Sequence, residues 1–308
     1  MISILFFNVK NIIKYLAKNP EIFTERVFSF AKKCYKIDKN KISISKIEKL
    51  WWYILEIIIN DKRINYEVQG EGKPIILLHG WLASLETMKP LQKYLSNWFK
   101  VYNLDIIGFG KSELPNEPMS TDDYGNFLNN FITALKIENP ILIGHSNGGR
   151  TILNYAGRNL GSINKIVLID SAGIKPKRKF GYYFEVYSFK IMKNILKILP
   201  KKFDYLREKA LSKFGSSDYK ASPEVLRKTM NIILNEDQRK IMPNINVPTL
   251  MIWGDKDTAT PLEDAKKMEK LIPNSGIAVL EGAGHYSYLD RLNQCLLILD
   301  EFFKNDKI

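Results

Sequence analysis

The chain is poor in the side chains that build disulfide frameworks and metal cages, with two cysteines and three histidines in 308 residues. Cys34 and Cys295 stand near opposite ends with no CxxC spacing and no histidine beside them, which gives neither a disulfide framework nor a zinc pattern. A reducing, cytoplasmic setting fits that usage. Long hydrophobic runs are also missing: the apolar stretch Met1–Phe7 is interrupted by Lys10, Lys14 and Lys18 before the ~20 apolar residues that a spanning helix needs. No small-residue cleavage site follows, so neither a signal peptide nor a transmembrane helix is expected. There is no Arg-rich helix or nucleic-acid-binding module, and nucleic acid is not an expected partner. Internal repeats and low-complexity tracts are absent as well. What remains is ordinary globular composition, 45% hydrophobic and 26% charged.

The net charge of +13 is unevenly spread. Residues 1–60 carry 11 Lys+Arg against 5 Asp+Glu, residues 173–243 carry 17 against 7, and the rest of the chain is slightly acidic. Two basic segments of this kind can meet an anionic membrane or an acidic substrate, and the same lysines also suit a solvated face.

Leu5, Val9, Ile12, Ile13 and Leu16 recur at helical spacing over residues 4–18, and a second helical stretch spans about 21–36. Residues 1–48 read as an N-terminal helical extension. From Trp51 the pattern changes. Ile57–Ile59, a turn at Asn60-Asp61-Lys62 and Ile64–Val68 read as a hairpin. Short apolar runs follow at Ile75–Leu78, Val101–Leu104, Ile141–Ile143, Ile166–Ile169, Leu250–Trp253 and Ile277–Leu280. Most are separated by helical stretches, among them Leu85–Trp98 after Ser84, a segment opened by Thr121 that reaches Leu135, and Arg150–Arg158. Continuous apolar strands alternating with helices predict an α/β fold, a mostly parallel sheet covered on both faces. Residues 173–243 break the alternation with helix-like stretches such as Tyr182–Leu199 and Ser222–Asn235. Seventy residues are too many for a loop, so they predict a helical cap inserted after the sixth strand, within a core of 49–172 and 244–308.

The chemistry concentrates at strand ends. Gly144-His145-Ser146-Asn147-Gly148 follows one strand and precedes a helix. A serine on such a tight turn exposes its hydroxyl above the sheet, and the flanking glycines remove Cβ atoms that would clash. Leu77-Leu78-His79-Gly80-Trp81 ends the strand where acyl transfer needs an oxyanion hole, for which the backbone N–H groups of Trp81 and Asn147 are the candidates. Trp253-Gly254-Asp255-Lys256-Asp257 and Gly282-Ala283-Gly284-His285 close two later strands. A serine hydroxyl needs a base to take its proton, and the base needs an anion to fix its tautomer. The order Ser, Asp, His supplies all three.

With these motifs in place, the sequence resembles a capped member of the α/β-hydrolase superfamily over about Ile64–Phe303, including the stretch Asp105-Ile106-Ile107-Gly108-Phe109-Gly110-Lys111-Ser112. The resemblance implies Ser146 as nucleophile, His285 as general base and Asp257, the second aspartate of its motif, as the acid; Asp255 is then a turn residue. Asp170 is the other candidate, because some relatives carry their acid there. His79 and His145 are expected to be structural, with no carboxylate or thiolate cluster beside them, so no metal and no cofactor is expected.

The function expected is hydrolysis of a small or apolar carboxylic ester through an acyl-enzyme. Tyr182, Tyr183, Phe184, Tyr187 and Phe189 suggest the apolar character and equally suit packing of the cap on the core. One alternative is a carbon–carbon bond hydrolase acting on ring-cleavage products, although such relatives often carry Trp after the histidine where this chain has Tyr286. Another is a non-catalytic binding protein on the same fold. Epoxide and haloalkane hydrolases are disfavoured because they use aspartate where Ser146 stands. The basic segments add possible peripheral association with an anionic membrane surface, helix 4–18 lying in the interface.

Overall fold

The computed structural model describes residues 55–176 and 222–307. The expected helices at 4–18, 21–36 and Tyr182–Leu199, and the strand start at Trp51, lie outside the described residues.

The first two strands, β1 (Leu55–Ile59) and β2 (Lys62–Gln69), form an antiparallel hairpin. Asn60 and Asp61 at its tip both have positive φ, 49° and 59°. Two such residues give a two-residue turn whose twist matches the strands it joins, and Asn and Asp tolerate that region better than most. The apolar runs then become β3 (Pro74–Leu78), β4 (Lys100–Leu104), β5 (Ile141–His145), β6 (Lys165–Ile169), β7 (Thr249–Gly254) and β8 (Ser275–Leu280). They form one eight-stranded sheet in the order β1-β2-β4-β3-β5-β6-β7-β8. β2 pairs antiparallel with β4, and all pairings from β4 to β8 are parallel.

Alternation along the strands divides the core into two layers. Ile76, Leu78, Leu142, Leu168 and Trp253 belong to a cluster with Phe127, Phe131 and Ile152. Their neighbours Ile75, Leu77, Ile143, Val167 and Ile252 belong to a second cluster with Met88, Leu91, Leu299 and Phe303. A sheet buried on both faces must be apolar at every position, which is why these strands read as unbroken runs. The helices that supply the covering residues are α1 (Leu85–Leu95), α2 (Thr121–Ala134), α3 (Asn147–Gly157), α4 (Glu224–Ile233), α5 (Leu262–Leu271), α6 (Ser287–Asp290) and α7 (Leu292–Phe302).

Helix starts depart from the sequence reading in instructive ways. Thr121 is not the N-cap of α2. Ser120 is, in a capping box in which its Oγ accepts from the Asp123 amide at 3.2 Å and Asp123 Oδ2 accepts from the Ser120 amide at 2.8 Å. Thr121 instead gives both its amide and its hydroxyl to Glu236. Ser84 does occupy the N-cap of α1, yet its side chain makes no capping bond; Asp105 Oδ1, from the loop after β4, accepts from the Leu85 amide at 2.7 Å. That helix stops at Leu95, short of Trp98, and α3 starts at Asn147, three residues ahead of Arg150.

Between β6 and β7 the described residues hold α4 and two short 3₁₀ turns, Gln238–Lys240 and Met242–Asn244. This segment is anchored on the core: the buried Arg150 donates to the Ile233 carbonyl at 2.6 Å, and the Thr229 hydroxyl accepts from the Met119 amide at 2.9 Å. A guanidinium at the last turn of α4 also complements the negative end of its dipole.

The first turn of α3 lies so close to the end of β3 that a Cβ on Gly148 would meet the Leu78 carbonyl oxygen at 2.2 Å and the His79 oxygen at 2.8 Å. Both obstacles are backbone and cannot swing aside. Gly148→Ala is therefore expected to lower stability by about 3 kcal/mol, whereas Gly276→Ala, with nothing within 4 Å of its added carbon, should stay within about 0.5 kcal/mol of wild type. Urea denaturation of the two variants reads the difference.

Candidate active site

Where successive connections of an open α/β sheet run to opposite sides, a crevice opens at the C-terminal ends of the strands. Here that point lies between β3 and β5, since β4 flanks β3 on one side and β5 on the other. The first strand ends at His79-Gly80-Trp81 and the second at Ser146.

Ser146 has φ 51° and ψ −111°, a strained conformation for a side chain with a Cβ. Its backbone is held at both ends. The amide donates to the Ile169 carbonyl at 3.0 Å, and the carbonyl accepts from Arg150 at 3.1 Å and Ala172 at 3.0 Å. The strand and helix on either side approach so closely that a Cβ on Gly144 would lie 2.6 Å from the Gly149 nitrogen.

His285 sits in the loop between β8 and α6, and its Nε2 lies 3.1 Å from Ser146 Oγ. On its other side Nδ1 is 2.8 Å from Asp257 Oδ2, in the loop after β7. With Nδ1 protonated toward the carboxylate, Nε2 is left to accept the serine proton. Asp257 Oδ1 accepts from the amides of Ala259 at 2.8 Å and Thr260 at 3.0 Å, and Oδ2 also accepts from the Thr260 hydroxyl at 2.6 Å. Burial works to raise this carboxyl; the bonds from His285 and Thr260 outweigh it and hold the group below its ordinary value.

Asp170, the other acid considered from sequence, is fully buried at the end of β6 and does not meet the His285 ring through its carboxylate. Its Oδ1 accepts from the Gly254 amide at 2.9 Å, and its Oδ2 accepts from the Ser287 amide at 3.0 Å and hydroxyl at 2.6 Å. It thus ties the end of β7 to the residue two after His285. Burial, against the pull of these bonds, pushes its carboxyl up to about 7. Asp255 is exposed and accepts from the Gly282 amide at 2.6 Å, linking the loops after β7 and β8 as a turn residue would.

Both remaining histidines brace the site. Nε2–H of His145 donates to the His285 carbonyl at 2.7 Å, while its Nδ1 has no partner among the described residues and stands 2.8 Å from where a Gly80 Cβ would be. Burial pulls its imidazole down to about 3, so it stays neutral. His79 accepts from the Ile106 amide at Nε2, 3.0 Å, and donates from Nδ1 to the Gly80 carbonyl, 2.7 Å. Burial lowers its pKa too. The turn it supports closes with an Ala83 amide to Gly80 carbonyl bond of 3.3 Å and places Leu82 at φ 53°. Neither the Trp81 nor the Asn147 backbone amide donates to a described protein acceptor. For Asn147, the first residue of α3, this is one of the orphan donors that every helix start leaves.

Sequence reasoning did not single out Thr260, Ser287 or the bond from His145 to the His285 backbone. Short motifs name the groups that react; the residues that hold them lie on other loops and carry no spacing signal.

A serine on a strand-to-helix turn, with an imidazole and a carboxylate from later strand ends, all above a mainly parallel sheet, is the arrangement of an α/β-hydrolase fold. The chain belongs to the α/β-hydrolase superfamily: residues 73–215 match the family model described as alpha/beta hydrolase fold, and residues 231–308 match one described as TAP-like protein. Among relatives, the AB hydrolase superfamily protein YisY of Bacillus subtilis is 27% identical over 252 residues, covering 76% of this chain and 92% of that one. Among solved structures, an esterase from Exiguobacterium antarcticum has a TM-score of 0.64 at 26% identity over 81% of this chain and 98% of its own. A meta-cleavage product hydrolase from Pseudomonas fluorescens has a TM-score of 0.63 at 23% identity, covering 82% and 97%; that likeness concerns the fold alone.

The buried groups set a pH dependence of stability. His79 and His145 stay neutral in the fold below the ordinary 6.5, whereas the unfolded chain binds protons there, so their contribution is present above about 6.5 and is lost as pH falls. Asp170 works the other way: its folded carboxyl binds a proton up to about 7, and its contribution, complete below the ordinary 3.8, is lost as pH rises through 7. Each group changes stability by at most about 1.4 kcal/mol per pH unit. The wild type should therefore lose stability between pH 7 and pH 5, and Asp170→Asn, lacking the opposing contribution, should lose it more steeply. Urea midpoints measured at half-unit steps check both slopes.

Proposed function

We propose that the protein is a serine hydrolase that cleaves carboxylic esters through an acyl-enzyme. The observation that carries this reading is the unbroken line from Ser146 Oγ through His285 to Asp257, with links of 3.1 and 2.8 Å. His285 Nε2 takes the hydroxyl proton as Ser146 Oγ attacks the carbonyl carbon, and the carbonyl electrons move onto oxygen. The backbone amides of Trp81 and Asn147 receive that oxyanion. Collapse of the adduct expels the alcohol, which leaves with the proton from Nε2; water then repeats the cycle and releases the acid. Asp257 keeps the ring in its reactive tautomer and stabilises the imidazolium. This chemistry requires no metal and no cofactor.

Residues 173–243 serve in this reading as a helical cap over the core of 49–172 and 244–308, with 1–48 as an extension. The aromatic residues from Tyr182 to Phe189 favour a small or apolar ester. A carbon–carbon bond hydrolase would use the same three side chains, and a binding protein would use none of them. Tyr286 after His285 favours the ester.

The expected result is turnover of p-nitrophenyl esters by the wild type and a loss of about 10⁴-fold or more in Ser146→Ala. Equal turnover by both would end the mechanism. A fluorophosphonate probe should label the wild type at Ser146, and a folded protein that stays unlabelled would favour the binding role instead.

The excess of basic residues in 1–60 and 173–243 further supports docking on anionic lipid surfaces. Vesicles containing phosphatidylserine should sediment the full chain and leave behind a chain starting at Ser45, with the difference fading as salt is raised. Among the described residues no helix is long and apolar enough to cross a membrane.

A further inference from the structure

Thr260 stands three residues after Asp257, half-buried, with its hydroxyl oxygen in reach of three groups: Asp257 Oδ2 at 2.6 Å, the Asp170 carbonyl at 2.9 Å and His285 Nδ1 at 3.3 Å. A hydroxyl has one proton to give. Nδ1 cannot take it, because in the reactive tautomer that nitrogen already carries a hydrogen directed at Asp257. Between the two oxygens, the shorter distance and the charged acceptor place the proton on the carboxylate; 2.6 Å lies in the range of charge-assisted O–H···O⁻ bonds. The threonine itself cannot drift, since its amide donates to Asp257 Oδ1 at 3.0 Å and its carbonyl accepts from the buried Trp253 indole at 2.7 Å.

Asp257 therefore receives four hydrogen bonds: the amides of Ala259 and Thr260, the Thr260 hydroxyl and His285 Nδ1–H. Its side chain has no exposed surface, so solvent offers no substitute for a donor that is removed. The two donors on Oδ2 compete for the same negative charge. What Thr260 withdraws from the carboxylate is no longer available to the imidazolium.

We infer that Thr260 is a positioning residue of the proposed reaction, whose hydroxyl orients the Asp257 carboxylate and moderates its pull on His285. The inference rests on the serine-hydrolase reading above. The other groups facing His285 and Asp257 among the described residues are the His145 ring, 5.0 Å from the His285 ring, the Tyr286 ring at 5.8 Å, the Ser146 hydroxyl and Asp170, whose carboxyl feels the charge of Asp257. His145 is neutral across the working range, burial holding it near 3. It therefore adds no step of its own. Asp170 titrates near 7, so its contribution is removed by comparing variants that all retain it.

The test is the pH profile of kcat/KM for p-nitrophenyl butyrate in wild type, Thr260→Val and Thr260→Ser. Valine keeps the shape and removes the hydroxyl, leaving Asp257 with more uncompensated charge toward His285. Its acid limb should move upward by about half a pH unit or more, with KM within about twofold of wild type. Serine keeps the hydroxyl and should restore the wild-type midpoint. A midpoint does not depend on how much of the sample is folded when that fraction is constant across the profile, and circular dichroism of each variant at every pH used fixes the range over which it is. A valine midpoint equal to or below that of wild type, or a serine midpoint displaced as far as that of valine, would overturn the inference. Failure of the wild type itself to turn over ester or to react with fluorophosphonate would be the distinct failure of the hydrolase reading, and would remove this inference with it.

Discussion

The backbone of Ser146 is the constraint on which the rest of the site depends. A left-handed φ on a residue with a Cβ costs on the order of 1–3 kcal/mol and persists only when its surroundings over-determine it. Here they do. The amide and carbonyl of Ser146 are bonded to Ile169, Arg150 and Ala172, so β6 and α3 both hold the turn. Gly144 and Gly148 let the strand end and the helix start pass within contact of each other and of the β3 terminus. Relaxing φ into an ordinary region would break those three bonds at once and swing the hydroxyl away from His285.

Strain of the same kind recurs at the neighbouring strand ends. Leu82, after β3, has φ 53°, and Asp170, after β6, has φ 44°. Each stands where the chain must turn abruptly off the sheet to bring a backbone group or a side chain into the crevice. Leu82 sits one residue beyond the Trp81 amide. Asp170 anchors the loop that carries His285. The sheet, buried on both faces by two apolar layers, is the rigid body against which these turns are strained.

The parts legible in the sequence were those governed by a repeating pattern or a short local motif. All eight strands fall on the expected runs, in β3 to β7 because burial on both faces demands continuous apolar residues, and Ser146, His285 and Asp257 fall together because each ends a strand in the same sheet. Less legible was anything decided by a partner far along the chain. Thr121 looks like a helix cap by type, but Glu236, 115 residues away, takes its hydroxyl, and Ser120 caps in its place. Ser84 is at the expected N-cap without acting through its side chain, and the first helical amide, that of Leu85, is met instead by Asp105, 20 residues further along. The bond of His145 and the contact of Thr260 escape for the same reason, since both are made to His285, 140 and 25 residues away respectively.

The two buried aspartates show how environment, and not residue type, divides the roles. Both end strands and both accept multiple hydrogen bonds. Asp257 has four donors, one of them an imidazole able to become cationic, and these overcome burial and keep the carboxyl ionised. Asp170 has three donors, none of which can carry charge, and it also lies within the field of Asp257, so burial wins and its carboxyl rises to about 7. An acid that must stabilise an imidazolium has to be an anion at working pH, and only the first meets that condition throughout. The second is suited to a different task, fixing where the His285 loop begins its helix through the Ser287 amide and hydroxyl. Exchanging the two roles would require moving the cationic partner and not the carboxylates, which is why the position of one histidine decides which of two similar acids belongs to the proposed reacting line.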